Sequence, residues 1–190
     1  MSERLLLLGD PRLRELSEPV DDVERAEVRD VAERLAATLS AFRAEHGFGR
    51  ALSAPQIGVR LRMVAFALPP LAPGETPRPG GTFVAHNPEI TWTSPETFTL
   101  WDDCMSFPSL LVRVRRHASV SFRYTDESGN DVAFPELGRA VSELVQHEID
   151  HLDGVLAVDR AIDRFSLLCR DEHARTPQLF RGQVDYAIGE

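Results

Sequence analysis

The amino-acid sequence predicts an α+β fold, in which a long N-terminal helix precedes a strand-rich middle and a second helix follows the strands. The first observation is a helical period in the apolar residues of the first quarter of the chain. The second is the alternation of apolar and polar residues through the middle. The third is a proline that precedes an amphipathic segment near residue 140.

The composition limits the class of protein. With 190 residues, of which 43% are hydrophobic, the chain is long enough for one compact core, and we expect a single domain, residues 1–190. The formal net charge of −9 argues against nucleic acid or an anionic membrane as the main partner. The apolar run at residues 5–8 is too short for a secretion signal or a membrane span. We therefore expect a cytoplasmic protein with no direct nucleic-acid or membrane partner.

The first helix is predicted over residues 21–46. Its apolar residues recur at about 3.6 positions and share one face, which would pack against the core. Those residues are Val28, Val31, Ala32, Leu35, Leu39 and Phe42. Gly47 follows directly and is a typical helix end.

Strands are predicted through the middle of the chain. Residues 49–58 suggest a loop or short edge strand, and residues 60–68 a strand. The five prolines and three glycines of residues 69–81 predict an exposed loop. Further strands are expected between residues 82 and 134, with a turn at residues 126–131.

A second helix is predicted from Pro135 to about Leu152, because proline suits the first helical turn and Gly154 can end it. After Val158 the pattern weakens. There we expect a short helix within residues 164–175 and an extended tail.

The sequence QHEIDH in this second helix suggests a metal site. His147 and His151 are four residues apart, so both side chains project from one helix face and can hold one ion. Glu148, directly after the first histidine, is where metal-dependent hydrolases carry a general base acting on water. Catalytic zinc-type sites usually have three protein ligands, so a third ligand is needed.

The third ligand has three candidates from spacing. A histidine six residues after His151 would complete one protease pattern, but that position is Ala157. A glutamate about twenty residues downstream would complete another, and Glu172 lies there. Cys104, upstream in the strand-rich region, is the third, since thiolate is a good ligand for Zn or Fe(II).

Three segments together resemble the peptide deformylase family. The family motifs are a G-x-G-x-A-A-P-Q-x-G loop, an E-G-C-L-S strand and a Q-H-E-x-D-H helix. This chain has GRALSAPQIG, DDCMSFP and QHEIDH in the same order, after an opening LLLLGDPRLRELSEPV that is also similar. The resemblance covers the chain to about Asp163. It implies antiparallel or mixed sheets packed around a central helix that carries H-E-x-x-H.

The resemblance implies a full catalytic site. Cys104, His147 and His151 would hold one divalent metal ion, with Glu148 as general base and acid. The Gln56 side chain and the Met105 backbone N–H would donate to the developing oxyanion. In this family Fe(II) is the usual metal in the cell, and the resemblance also allows Zn, Ni or Co in a purified sample.

The resemblance also implies the substrate, an N-formylated peptide from a nascent protein, with formate as a product and the ribosome exit region as a transient partner. The residues expected to contact substrate are Gly49, Ala51, Asp103 and Glu143. Ala51 and Asp103 stand where the family has glycine, and Glu143 lies one turn before His147, where the family lines its methionine pocket. Glu143 could also point to solvent.

Charged neighbours of the ligands complete the expectations. Asp102 occupies the family's acidic position before the cysteine, with Arg116 at the spacing of its usual partner. Asp150 and Asp153 are expected at the surface or as caps. Two alternatives remain: an amide hydrolase acting on another N-formyl or N-acyl substrate, and a metal-binding relative without turnover.

Overall fold

The computed structural model describes residues 2–68 and 82–189. Its helices are α1 Ala26–His46, α2 Arg139–Leu152, α3 Arg170–Arg175 and α4 Pro177–Arg181. Its strands are β1 Ala51–Ser53, β2 Met63–Ala67, β3 Thr82–Thr93, β4 Thr97–Asp103, β5 Leu110–His117, β6 Val120–Thr125, β7 Asp131–Leu137 and β8 Leu167–Cys169. Within these residues, no helix is both long enough and apolar enough to cross a bilayer.

The strands form two sheets. A five-stranded sheet has the order β1-β2-β3-β6-β7, and a three-stranded sheet has the order β4-β5-β8. Each pairing between these strands is antiparallel. Helix α2 contacts β1 in the first sheet and β5 in the second. Residues of α2 can therefore meet residues from both sheets.

The alternation of side chains along the strands explains why the five-stranded sheet packs on both faces. Leu52, Met63 and Ala65 lie in a buried cluster with the apolar stripe of α1. Their neighbours along the strands, such as Val64 and Phe66, lie in a second cluster with α2. One face of the sheet therefore carries α1, and the other carries the helix with the histidines.

Helix α1 begins later than predicted. The prediction placed its start at Asp21 and Asp22, but the helix runs from Ala26. The Asp22 side chain accepts a hydrogen bond from the Glu24 N–H at 2.8 Å. Aspartate often makes such a local turn instead of a helical one, which accounts for the delay. Gly47 ends the helix in the left-handed conformation, as predicted.

The predicted start of the second helix was wrong. Pro135 belongs to β7, and α2 begins only at Arg139 after Gly138. Strand β7 lies at the edge of its sheet. An edge strand tolerates proline, because its missing N–H need not bond a neighbouring strand.

The region after Val158 contains more regular structure than predicted. Residues 167–169, expected within a short helix, form β8 beside β5. Helices α3 and α4 follow, and the backbone N–H groups of Asp185 and Tyr186 then donate to the carbonyl of Thr99 in β4, each at 3.1 Å. The tail therefore packs on the second sheet. The loop predicted at residues 69–81 lies outside the described residues.

Candidate active site

Helix α2 places both histidines and the intervening glutamate in the interior. His147, Glu148 and His151 are all buried. The two imidazole rings lie 4.9 Å apart, centre to centre, as expected for positions i and i+4 on one helix. A buried polar face of this kind is costly unless its groups have partners, so the surroundings of the histidines are informative.

Cys104 meets the two histidines at the end of β4. The ligand atoms of Cys104, His147 and His151 all lie within 4.8 Å of one another. The cysteine sulfur is 3.3 Å from Nε2 of His151. Glu172, the competing third ligand, is instead exposed on α3, where it pairs with Arg175 at 3.2 Å. Of the candidates considered from the sequence, the structure brings Cys104 to the histidines.

A chain of buried charges supports this cluster. Asp102 accepts from Nδ1 of His147 at 3.0 Å and from Arg116, also at 3.0 Å. Arg116 also donates a hydrogen bond to the carboxylate of Asp150, and that carboxylate accepts a further hydrogen bond from Arg160. The expected pairing of Asp102 with Arg116 is thus confirmed, whereas the surface position expected for Asp150 is wrong.

The charges around His147 favour a single orientation of its imidazole ring. Burial alone would raise the pKa of Asp102, but His147 and Arg116 outweigh it and hold the pKa below the usual range. The resulting carboxylate fixes the ring of His147 through Nδ1 and leaves Nε2 for a metal.

The donor set fits a divalent transition metal. One thiol and two imidazoles are ligands that Zn and Fe(II) accept, and all three are buried. Burial raises the pKa of the Cys104 thiol and lowers the pKa of His151 well below its ordinary value. His151 is thereby kept in the neutral form that binds metals, and a cation would displace the thiol proton.

Glu148 has the properties of a proton carrier. Burial raises the pKa of its carboxyl to about 7, near the pH at which a general base works best. Its Oε2 atom has no hydrogen-bond partner among the described residues. That oxygen is therefore free to bind and move a proton beside the three ligand atoms.

Gln56 and Met105 supply donors on the other side of the cluster. Gln56 Oε1 accepts from the N–H of Ser53 at 3.0 Å, which fixes the amide orientation. Its Nε2 then donates to Ser106 at 3.1 Å and lies 3.7 Å from the Cys104 sulfur. The Met105 N–H directly follows Cys104, and among residues 2–68 and 82–189 no backbone carbonyl accepts a hydrogen bond from it. Both donor groups therefore lie close to the cluster.

A cavity of about 260 Å³ opens beside the cluster. Its lining includes all four residues predicted to contact substrate: Gly49, Ala51, Asp103 and Glu143. Gly49 has φ of 103°, and a Cβ there would lie 3.2 Å from the Met105 sulfur. Glycine alone adopts this positive φ and leaves room for the Met105 side chain without strain.

Two of the lining carboxylates have arginine partners that the sequence did not suggest. Glu143 is buried, with only 1% of its surface exposed, and pairs with Arg50. Solvent exposure of Glu143 is thus excluded. Asp103 pairs with Arg170 at 3.1 Å, and the Arg170 guanidinium lies 4.2 Å from the centre of the Phe48 ring. Ile188, from the predicted tail, also lines the cavity.

The arginine partners Arg50 and Arg170 were missed because no local pattern marks them. Arg50 and Glu143 are 93 positions apart, and Asp103 and Arg170 are 67 apart. A pairing across such separations has no period or spacing to detect in one sequence. Asp150 was missed because helix geometry alone could not show that Arg116 and Arg160 converge on it.

Known proteins share both the sequence and the fold. The family model described as polypeptide deformylase matches residues 2–165. A peptide deformylase of Thermomicrobium roseum is 37% identical over 92% of this chain and 94% of the relative. The crystal structure of peptide deformylase from Thermotoga maritima has a TM-score of 0.71 and 30% identity, covering 86% of this chain and 99% of that one.

A further solved structure is similar to the same degree. The peptide deformylase of Synechococcus elongatus in complex with actinonin has a TM-score of 0.71 and 30% identity, covering 85% of this chain and 80% of that one. The match to the family model, the sequence relatives and the fold all agree with the buried Cys-His-His cluster. This chain belongs to the peptide deformylase family.

Proposed function

We propose that this chain is a metal-dependent hydrolase that removes the N-terminal formyl group from formyl-methionyl peptides of nascent proteins and releases formate. The observation that carries the proposal is the buried cluster of Cys104, His147 and His151, with Glu148 in the same cavity wall. Family membership supports the same activity.

Cys104, His147 and His151 would hold one divalent ion, Fe(II) in the cell and Zn, Ni or Co in a purified sample. Such an ion supplies Lewis-acid chemistry that makes water nucleophilic near neutral pH. Its affinity would be raised by Asp102, which holds the His147 ring through a hydrogen bond of 3.0 Å.

The protein residues would move the proton and stabilise charge. Glu148 Oε2 takes the proton of the water that attacks the formyl carbon, because it is buried, unpartnered and has a pKa near 7. The same carboxyl then returns the proton to the leaving amine. Gln56 Nε2 and the Met105 N–H donate to the oxygen that becomes negative. One donor of this type is typically worth about 3–4 kcal/mol.

Three structural expectations from the sequence join the proposal. The chain would form one catalytic domain over residues 1–190, with α2 as the central helix of the fold and α1 as its long N-terminal helix. A cytoplasmic location and a transient association with the ribosome exit region stay predictions. Because the Synechococcus elongatus relative is solved with actinonin, we also propose actinonin as a competing ligand for this cavity.

A second candidate is amide hydrolysis of a different N-formyl or N-acyl substrate. One observation favours it: the cavity wall carries the charged residues Arg50 and Glu143. The chemistry at the metal cluster would be the same, and only the acceptable substrate would differ.

Formate release from formyl-Met-Ala-Ser, measured anaerobically with the Fe(II)-loaded protein, tests the function. We expect release that actinonin inhibits. Acetate release from acetyl-Met-Ala-Ser, without formate release from the formyl peptide, would favour the second candidate. Release from neither, with the metal bound, would favour a relative without turnover.

Metal content of purified variants tests the ligands. Cys104→Ser should lose most of the bound metal, since it removes the thiolate. Glu172→Gln is the matched control and should keep full metal content, since Glu172 is exposed and pairs with Arg175. The opposite pattern would contradict the assignment of Cys104.

A further inference from the structure

The cavity beside the metal cluster contains a partly buried ion pair that takes no part in the proposed reaction. Glu143 is 1% exposed, and the Arg50 side chain is 29% exposed. Nη2 of Arg50 donates to Oε1 of Glu143, and Nη1 of Arg50 donates to the carbonyl of Ala140 at 2.9 Å. The second bond anchors the guanidinium to the first turn of α2, so the position of the pair is fixed.

The pair lies where a substrate side chain would reach. Glu143 is four residues before His147, so it is on the same face of α2, about 6 Å along the helix axis. Both charged residues line the cavity together with Gln56 and Cys104. A peptide whose formyl group lies at the cluster therefore places the side chain of its first residue near the pair.

The pair has hydrogen-bonding capacity left for a ligand. Among the described residues, Glu143 accepts a hydrogen bond through Oε1, which leaves Oε2 as an open acceptor. Burial raises the pKa of Glu143 to about 7, although the neighbouring Arg50 lowers it.

We propose that the Arg50–Glu143 pair selects the first residue of the substrate and favours a side chain that bears an amide or hydroxyl over an apolar one. This inference rests on the proposed deformylase chemistry. It concerns which formyl peptides the cavity accepts, and a measured preference for a polar first residue would favour the second candidate substrate over formyl-methionyl peptides.

The physical reason is the cost of covering a charged pair. An apolar side chain would displace water from Arg50 and Glu143 without replacing the hydrogen bonds that the water made. That exchange costs free energy, because buried polar groups need hydrogen-bond partners. An amide offers both a donor for Glu143 and an acceptor for Arg50. An acidic or basic side chain would satisfy one member of the pair and be repelled by the other. The substrate side chains that can satisfy both members of the pair are therefore neutral and polar. Among them, glutamine is the closest in length to methionine.

Paired substrates test the selection. We expect kcat/KM for formyl-Gln-Ala-Ser to exceed that for formyl-Met-Ala-Ser by about tenfold or more, because sites that hydrogen-bond a substrate discriminate strongly against apolar analogues. In the double variant Arg50→Leu/Glu143→Leu, the preference should reverse. A wild-type preference for the methionine peptide, or an unchanged ratio in the double variant, would overturn the inference.

The matched control is an ion pair away from the cavity. Arg123 and Glu89 pair at 2.5 Å between β6 and β3, and both are exposed. Arg123→Leu/Glu89→Leu should leave the ratio of the two substrates unchanged. If the cavity double variant does not fold, Glu143→Leu alone serves, because the partly exposed Arg50 can then turn toward water, and the ratio should still fall at least threefold.

Failure of the proposed function is distinguishable. If neither peptide releases formate, that function fails, and the selection is tested by binding. Calorimetry with Gln-Ala-Ser and Met-Ala-Ser, the deformylated peptides, needs no turnover. Tighter binding of Gln-Ala-Ser by the wild type, and loss of that difference in the double variant, would support the inference. Equal binding or tighter binding of Met-Ala-Ser would refute it.

Discussion

The two sides of the cavity are built differently. On the metal side, Cys104, His147 and His151 are backed by Asp102 and Arg116, and every one of these side chains is buried. On the substrate side, ion pairs contribute an arginine that remains partly exposed, Arg50 in one pair and Arg170 in the other. The metal side is a closed network in which one change disturbs several charges. The substrate side consists of separate pairs, which can change with less effect on the reaction.

The largest effect is expected on the metal side. Glu148→Gln should lower kcat/KM for the formyl peptide by about 10²–10⁴-fold, because the amide cannot carry the proton. Metal content should stay the same, since Gln has nearly the same shape. Formate release and metal analysis on one preparation check this. A decrease below tenfold would show that Glu148 is not the proton carrier.

The next effect tests the substrate side through pH. Burial raises the pKa of Glu143 from 4.5 to about 7, so between these values the folded chain holds a proton that the unfolded chain has released. Its stabilising contribution is complete below pH 4.5 and is lost as pH rises to about 7. The shift corresponds to about 3 kcal/mol.

Urea unfolding of the wild type and Glu143→Gln across pH 4 to about 8 measures that contribution. The wild-type free energy of unfolding, relative to the variant, should decrease with rising pH and level off near neutrality. Taking the difference removes the contributions of other titrating groups. A difference that does not vary with pH would show that Glu143 has the same pKa in both states.

A smaller effect, on metal affinity, should distinguish the neighbouring residues Asp102 and Asp103. Asp102→Asn should weaken metal affinity by about 10–100-fold, because the amide orients His147 less well than a carboxylate does. Asp103→Asn is the matched control, since Asp103 pairs with Arg170 on the substrate side. Competition with a chelator checks both. Equal losses would mean that the two sides of the cavity are not separate.

The smallest effect is expected for the Asp103–Arg170 pair. Its side chains are 25% and 31% exposed, so solvent screens the attraction. A double-mutant cycle with Asp103→Asn and Arg170→Met should give a coupling energy of about 1 kcal/mol or less. Denaturant unfolding of the four proteins measures it. A coupling of several kcal/mol would make this pair as essential as the buried network.

The sequence predicted most of the fold because the strands alternate and α1 keeps a helical period. Pro135 misled the prediction, since a proline suits both the first turn of a helix and an edge strand. The sequence alone could not separate these environments. The aspartates before α1 misled it similarly, because Asp22 makes a turn with Glu24 before the helix begins.

The candidate metal site was predictable because its chemistry requires particular residues at local spacing. His147, Glu148 and His151 lie within one helix, and Cys104 lies in a recognisable motif. The substrate side was only partly predictable. Glu143 was expected near the cavity, but its partner Arg50 is 93 positions away and depends on how α2 packs against β1. Such contacts depend on tertiary structure, and no characteristic spacing in the sequence reveals them.

The segment after residue 165 has a practical consequence for gene truncation. The family match ends at residue 165, yet β8, Arg170 and Ile188 all come later. A gene trimmed to the matched residues would encode every proposed metal ligand and Glu148. It would omit the third strand of the smaller sheet, the partner of Asp103 and Ile188 of the cavity lining. Trimming at the family boundary would therefore preserve the ligand sequence while removing residues that support the substrate side of the cavity.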